Sequence, residues 1–255
     1  MTNQVIETML NHKSIRKYKK EMPADDIIQT IVRAGQQAPF AAQMYSILFT
    51  RKGHIPFGAP LLFTICADMH KLSLIMKKRN WEVAANDVSQ LLFGIEDAML
   101  VAENMVIAGA SLGLGSCFLG AAPYAAEKIK NEYNLPDKVF PVVQLTMGYP
   151  DEVSQPRPRY PMNFTLFEDK YPTITDEMLN EAMKEMDEGY IAQDYYKALN
   201  AKIALESKKE EYDYNNYSWT EHISRKWGQW HSTVESILEP LKKCGFDLQY
   251  KKKQV

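Results

Sequence analysis

The chain has 255 residues, of which 45% are hydrophobic and 24% charged, a composition typical of a globular protein with a buried core. Its formal net charge of −2 excludes the basic surplus that general nucleic-acid binding needs, and no apolar run reaches the roughly 18 residues of a membrane span. The cysteines are widely spaced and the histidines lack partners at helical spacing, so we expect neither disulfides nor a metal site, and a reducing cytoplasm fits.

The first distinctive stretch is His12–Tyr18, which reads HKSIRKY and is rich in cationic and hydroxyl side chains. In an extended backbone, alternation places one set of side chains on one face, namely His12, Ser14, Arg16 and Tyr18. Such a row of donors can bind a phosphate and reach a polar ring. A solvated basic turn between two helices is the alternative interpretation.

Regular elements follow in chain order. Pro23 and the acidic pair after it predict the start of a helix, short apolar runs predict strands, and apolar residues at three- and four-residue steps predict a long central helix. The expected bounds are a helix from Asp25, a loop over 35–43, strands over 46–51 and 61–67, helices over 87–112 and 122–133, and strands over 116–119 and 138–147.

The last third of the chain changes character. Arg157-Pro158-Arg159 is a stiff segment whose two guanidinium groups suit a phosphate, although incidental arginines in a proline-rich stretch would look the same. Beyond it, charged helices are expected over 176–199 and 218–242, the second with a capping box at Ser218 and Glu221. Because this part lacks strands, it is interpreted as an arm around a second subunit.

The order of these motifs resembles the nitroreductase family of FMN flavoproteins, most closely its larger, oxygen-insensitive branch. The motifs that carry the resemblance are HKSIRKY at 12–18, the loop around Ala38-Pro39, ASLGLGSCFLG at 110–120, LTMGYPDE at 145–152, RPRYP at 157–161 and a fainter WTEHI at 219–223. They extend over most of the chain, and their common order carries more weight than any one of them.

The resemblance implies an α+β fold, with a central, mostly antiparallel sheet flanked by helices, in a homodimer with a C-terminal helical arm. It divides the chain into an FMN-binding core, 1–172, and the arm, 173–255, which belongs to the same domain. The implied FMN contacts are His12, Lys13, Ser14, Arg16, Pro39, Phe40, Gln43, Phe118, Leu119, Gly120, Arg157 and Arg159. Arg16 would stabilise the negative charge of the reduced flavin, and no protein side chain is expected to act as a catalytic nucleophile.

The implied function is ping-pong reduction of nitroaromatic or quinone-like acceptors, with NADH or NADPH as the donor. Three alternatives stay open: a flavoenzyme of this fold with other chemistry, such as reductive dehalogenation, a flavin-binding dimer without turnover, and a nucleotide- or phosphate-binding dimer that has lost flavin.

The chain departs from the family's pattern in three places. Only Lys52–Pro60 separates the first two strands, where the larger branch places a helix and a polar contact to the flavin, unless Met69–Ala85 fills that place. Asn215 and Asn216 stand where arginines favour NADPH, and Ala41 and Ala42 stand where small hydroxyl residues are common. The donor preference is therefore left open.

Overall fold

A four-stranded antiparallel sheet forms the centre of the computed structural model, which describes residues 2–248. The strands are β1 (Tyr45–Thr50), β2 (Leu61–Asp68), β3 (Gly115–Leu119) and β4 (Val139–Gly148), in the spatial order β1-β2-β4-β3. Every neighbouring pair is antiparallel. The sheet confirms the expected α+β class and matches the expected strands to within two residues.

The other regular elements are helical. Their bounds are α1 (Gln4–Leu10), α2 (Asp25–Gln36), α3 (His70–Lys78), α4 (Asp87–Ser111), α5 (Ala126–Tyr133), α6 (Asp176–Ala192), α7 (Tyr195–Ala198), α8 (Trp219–Gly228) and α9 (Glu235–Lys243). Short 3-10 turns occur at Pro56–Gly58, Ala122–Ala125 and Met162–Phe164. No helix in residues 2–248 is both long and apolar enough to cross a membrane.

The long helix α4 forms the core with the sheet, as its apolar periodicity predicts. Its start is fixed by Asn86, whose side chain accepts a hydrogen bond from the Ser89 amide at 2.9 Å. Its inward side chains, among them Val101 and Met105, are buried against Phe63 and the other central strand residues. Because β2 lies between two strands and under helices, all eight of its residues are buried.

The chain forms two compact units. One contains the described residues of Met1–Ser154 and Thr233–Val255, and the other is Gln155–Ser232. Helix α9 therefore belongs to the unit that contains the sheet. The division expected from the sequence, 1–172 and 173–255, stays a prediction, and residues 249–255 of that expected arm lie outside the described range.

Two helix predictions in the last third were wrong. The helix expected over 176–199 ends at Ala192, because Asp194 adopts a left-handed backbone with φ of 48°, and the chain resumes as α7. The helix expected over 218–242 is two helices, α8 and α9, in different units. The capping box is absent as well, since Ser218 donates to the Asp187 carbonyl at 2.9 Å and Glu221 pairs with Arg225 at 2.7 Å.

The second unit is held by a buried cation. The Arg225 side chain is 2% exposed and its guanidinium donates to both carboxylate oxygens of Glu210 at 2.8 Å. It also donates to Glu221 at 2.7 Å and to the Ile203 carbonyl at 2.7 Å. These charge-assisted bonds lower the pKa of Glu210 and fix the polar segment before α8.

The three cysteines are free and buried in the unit that contains the sheet. Burial is the main cause that raises the pKa of the Cys66 thiol to about 12, with a smaller contribution from the carboxylate of Asp68. Burial likewise raises the pKa of Cys244 to about 11. Both side chains are therefore neutral thiols at physiological pH.

The segment His12–Tyr18 is extended and pairs with the ends of two strands. Ile15 donates its amide to the Ser116 carbonyl of β3 at 2.8 Å, and Asp151, just after β4, donates to the Lys17 carbonyl at 2.9 Å. Gly115 permits this approach, because a Cβ at this position would collide with the Ile15 side chain. These bonds to the strand ends fix the position of the segment.

Tyr18 anchors the segment to β4, and its hydroxyl gives a test of this attachment. The hydroxyl donates to the Ile15 carbonyl at 2.6 Å and lies 3.0 Å from Thr146 Oγ1. Because both partners are buried, Tyr18→Phe should lower the free energy of unfolding by about 1–2 kcal/mol, measured by urea denaturation. Tyr124→Phe, at a tyrosine that is 47% exposed, is the matched control and should leave stability unchanged. Equal stability of the two variants would contradict the anchoring role.

Candidate functional site

The segment 12–18, which pairs with β3, presents four polar side chains, those of His12, Lys13, Ser14 and Arg16, and each residue is half-buried. Between residues 2 and 248, none of these side chains has a hydrogen-bond or ion-pair partner. Half-buried donors without partners inside the chain are available to a ligand, and their combined charge favours an anion.

One side chain of the segment does not lie on the face that simple alternation predicts. Tyr18 was expected beside the donors, but it is 9% exposed and packs with Ile15, Ile55 and Leu62. The cause is a local irregularity: the amides of Arg16 and Lys17 both donate to Oε1 of Glu152. Successive amides that point to one acceptor break the two-residue period. Burial also raises the pKa of Tyr18, so its hydroxyl remains a donor.

A cavity of about 440 Å³ lies beside the segment. Its wall includes His12, Lys13 and Glu152, and its other side is formed by α1, the inner face of α4 near Val106 and the start of β3. Cationic and acidic side chains therefore border the same space. Both N-terminal candidates, His12 and Lys13, line this cavity.

The end of β3 carries the second group of candidates. Phe118 and Leu119 are half-buried, and Leu119 packs against the cluster of Ile15 and Tyr18. Gly120 is exposed, and a Cβ there would meet no atom within 4 Å. Because the segment pairs with β3, the fold brings these three residues to the same part of the unit as His12–Arg16.

The loop before β1 carries the third group, Pro39, Phe40 and Gln43, and all three side chains are exposed. Phe40 is 51% exposed, and Gln43 has a left-handed backbone with φ of 52°. The loop turns over the side chain of Asp97 on α4, which accepts hydrogen bonds from its backbone amides. The candidates therefore lie on a fixed loop and point outward.

Arg157 and Arg159 lie in the other unit, and their surroundings there are distinct. Arg157 donates to Gln193 Oε1 at 2.6 Å, and its guanidinium lies 3.9 Å from the centre of the Tyr195 ring. Arg159 is exposed and donates only to the carbonyls of Arg157 and Pro158 within residues 2–248. Arg159 therefore keeps donors available to a ligand, whereas Arg157 is partly engaged.

Two acidic residues that the sequence reasoning missed position the candidates: Glu152 behind the segment and Asp97 behind the loop. A signal was present for Asp97, since it lies three residues after Gly94 and four before Val101, on the buried face of α4. For Glu152 nothing local indicated the contact, because its partners are about 135 positions earlier. Among the described residues, no group of three or more potential ligand side chains could hold a metal ion.

Comparisons with known proteins identify the family of the chain. Residues 50–149 match the model of the nitroreductase family. A Cr(VI) reductase from Pseudomonas sp. (strain G-1) is 30% identical over 201 residues, which cover 73% of this chain and 83% of that protein. An FMN reductase (NADPH) from Bacillus subtilis (strain 168) is 29% identical over 192 residues, or 69% of this chain and 77% of that protein.

A solved structure shows the same fold over almost the whole length. The NfrA1 nitroreductase from B. subtilis superposes with a TM-score of 0.79 at 26% identity, covering 95% of this chain and 99% of that one. The matched family model covers β2, α4, β3 and β4, the elements that support the candidate residues. The chain belongs to the nitroreductase family.

Proposed function

We propose that the protein is an FMN-dependent oxidoreductase, which takes hydride from NADH or NADPH and reduces nitroaromatic or quinone-like acceptors in a ping-pong cycle. The observation that carries this proposal is the row of four unpartnered, half-buried donors on the segment 12–18 beside β3. The relatives support it by their names, since one is an FMN reductase that uses NADPH and another a nitroreductase.

The donor set fits FMN. Lys13 and Arg16 offer positive charge, Ser14 a hydroxyl and His12 an imidazole, which suits a phosphate together with the polar edge of a ring. Gly120 leaves open space for close backbone approach, and the exposed ring of Phe40 offers an apolar cover. We propose that FMN is held by these residues together with Pro39, Gln43, Phe118, Leu119, Arg157 and Arg159.

When bound, FMN supplies the hydride-transfer chemistry itself. The chain's own part is to bind, orient and stabilise charge. Arg16 is a permanent cation, and its backbone is held by Glu152, so its charge stays at the end of the segment and favours negative charge there. No protein nucleophile is needed for this chemistry.

One observation favours a second candidate, a flavoenzyme of this fold with other chemistry such as reductive dehalogenation. The connection between β1 and β2 is short and contains only the 3-10 turn Pro56–Gly58, where Phe57 has φ of 62° and is 43% exposed. Its polar side chains include those of Lys52 and His54, both exposed, in place of the helix and the polar flavin contact that the larger branch carries there. Which class of acceptor the protein reduces, nitroaromatic and quinone-like compounds or halogenated ones, therefore decides between the two candidates.

We further propose that the protein acts as a homodimer in the cytoplasm, with 1–172 as the core and 173–255 as the arm. Exposed apolar side chains on α1 and α4 support the dimer, among them Leu10 at 69%, Leu92 at 57% and Phe93 at 49%. Free, buried cysteines agree with a reducing compartment.

A visible spectrum of the purified protein tests the cofactor and the reaction together. The protein should be yellow, release FMN on denaturation, and lose its flavin absorbance on anaerobic addition of NADH or NADPH. Separate titrations with the two nucleotides would establish the donor. A protein that cannot be loaded with FMN would refute the proposal, and one that binds FMN without reduction by either donor would be a flavin-binding module.

Arg159→Ala tests the phosphate contact. Loss of one charged hydrogen-bond donor should weaken FMN binding by about 1.5–3 kcal/mol, roughly a tenfold to hundredfold increase in Kd. Fluorescence titration of the apoprotein with FMN measures this Kd. Arg33→Ala, at an exposed arginine on α2, is the control and should bind FMN as the unchanged protein does. Unchanged affinity in Arg159→Ala would exclude Arg159 from the phosphate site.

Gly120→Ala separates ligand contact from stability. A Cβ at this position meets nothing in the protein within 4 Å, so the apoprotein should unfold at the same temperature as the unchanged chain. If backbone approaches the ring at this residue, the added methyl should weaken FMN binding by about 1–3 kcal/mol, the usual cost of overpacking. Full FMN affinity at unchanged stability would show that the ring does not come close to Gly120.

A further inference from the structure

Asp97 is a buried acidic residue in the middle of α4, 1% exposed. A carboxylate at such a position loses its hydration, and helix α4 offers it no amides there, because mid-helix amides are already bonded within the helix. Its partners come from the loop before β1. Oδ1 accepts from the Ala41 amide at 2.6 Å, and Oδ2 accepts from the amides of Met44 at 2.8 Å and Ala42 at 3.2 Å.

The three donors determine the shape of the loop. Because its amides converge inward on one carboxylate, the side chains of residues 39–43 face outward, and all five residues are exposed. Buried Ala38 and Met44 fix its two ends. Between them Gln43 adopts a left-handed backbone, which a residue with a side chain adopts only when its surroundings hold it there.

We propose that Asp97 is a positioning residue for the reaction: through three backbone amides it holds the Ala38–Met44 loop in the shape that presents Phe40 and Gln43 to the flavin and to the acceptor. This inference rests on the proposed function. Asp97 itself is buried and touches no reacting atom.

One consequence concerns what the loop can offer to a ligand. The amides of Ala41 and Ala42 are taken by Asp97, and their methyl side chains carry no hydrogen-bonding group. Among its exposed side chains, the loop therefore offers the apolar groups of Pro39 and Phe40 and a single hydrogen-bonding group, the side-chain amide of Gln43. Such a surface suits flat, aromatic acceptors and provides little polar selection among them.

The test compares Asp97→Asn with Asp68→Asn. Both remove the charge of a buried, hydrogen-bonded carboxylate, but the Asp68 side chain bonds to Ser46 and the Lys71 amide, outside the loop. Three quantities are measured: hydrogen exchange of the loop amides in the apoprotein, the Kd for FMN, and KM and kcat for a quinone acceptor at saturating FMN and donor.

In the unchanged protein the amides of 41, 42 and 44 should be protected, although 41 and 42 lie in exposed residues. Asp97→Asn should speed their exchange, raise the Kd for FMN and raise the KM for the acceptor by about tenfold each, with kcat changed less than about threefold. Asp68→Asn should lower the unfolding temperature to a similar extent and leave the loop amides and KM unchanged.

A second variant guards against loss of folding in Asp97→Asn. Replacing both Ala41→Gly and Ala42→Gly leaves the core intact and adds backbone freedom to the loop, so exchange and KM should shift in the same direction by a smaller factor. Unchanged loop exchange and KM in folded Asp97→Asn would overturn the inference, as would equal KM effects of Asp68→Asn. If the unchanged protein binds no FMN, the proposed function fails, while the exchange rates still decide whether Asp97 orders the loop.

Discussion

The pairing around β4 is the constraint on which the site depends. β4 lies between β2 and β3, and the residues that follow it hold the segment 12–18 in place. Three contacts attach this segment: backbone pairing with β3, the buried Tyr18 hydroxyl against Thr146, and the Glu152 carboxylate, which accepts from the segment's amides. A short polar stretch with little core of its own thus obtains a fixed geometry from the strand ends. The four donors can then stay half-buried and unpartnered without collapse onto nearby acceptors, a state that a mobile segment would not maintain.

In both units a charged side chain fixes an irregular segment of backbone, but the sign of the charge differs. In the unit with the sheet, acidic side chains accept from backbone amides: buried Asp97 orders the loop before β1, and half-buried Glu152 orders the segment 12–18. In the other unit a buried cation, Arg225, takes the corresponding role and gathers two glutamates and a carbonyl. In each case one charge fixes a stretch that has no regular hydrogen bonding, and the cost of burial is offset by several charge-assisted bonds.

Periodicity in the sequence predicted α4, because its apolar residues repeat with the period of the helix that buries them, and short apolar runs predicted the four strands. Periodicity failed for the helices expected over 176–199 and 218–242. The first break lies at a left-handed Asp194, and the second follows Gly228, where the Gln229 side chain bonds to Ala204 and Glu206, 25 and 23 positions earlier. The candidate residues were predicted by motif order. Their supports were not, since Glu152 acts across 135 positions and Asp97 looked like one polar residue in an apolar helix. Tyr18 was assigned to the donor face because simple alternation does not anticipate two successive amides bonded to one carboxylate.

The burial of the cysteines bears on the acceptors proposed above. Quinones are electrophiles that add to thiolates, so an enzyme that reduces them is exposed to alkylation by its own substrate. Cys66 and Cys244 are out of contact with solvent, and burial raises the pKa of their thiols to about 12 and about 11, which leaves almost no thiolate to react. The packing that forms the core thus also gives the protein chemical resistance to the compounds it is proposed to reduce.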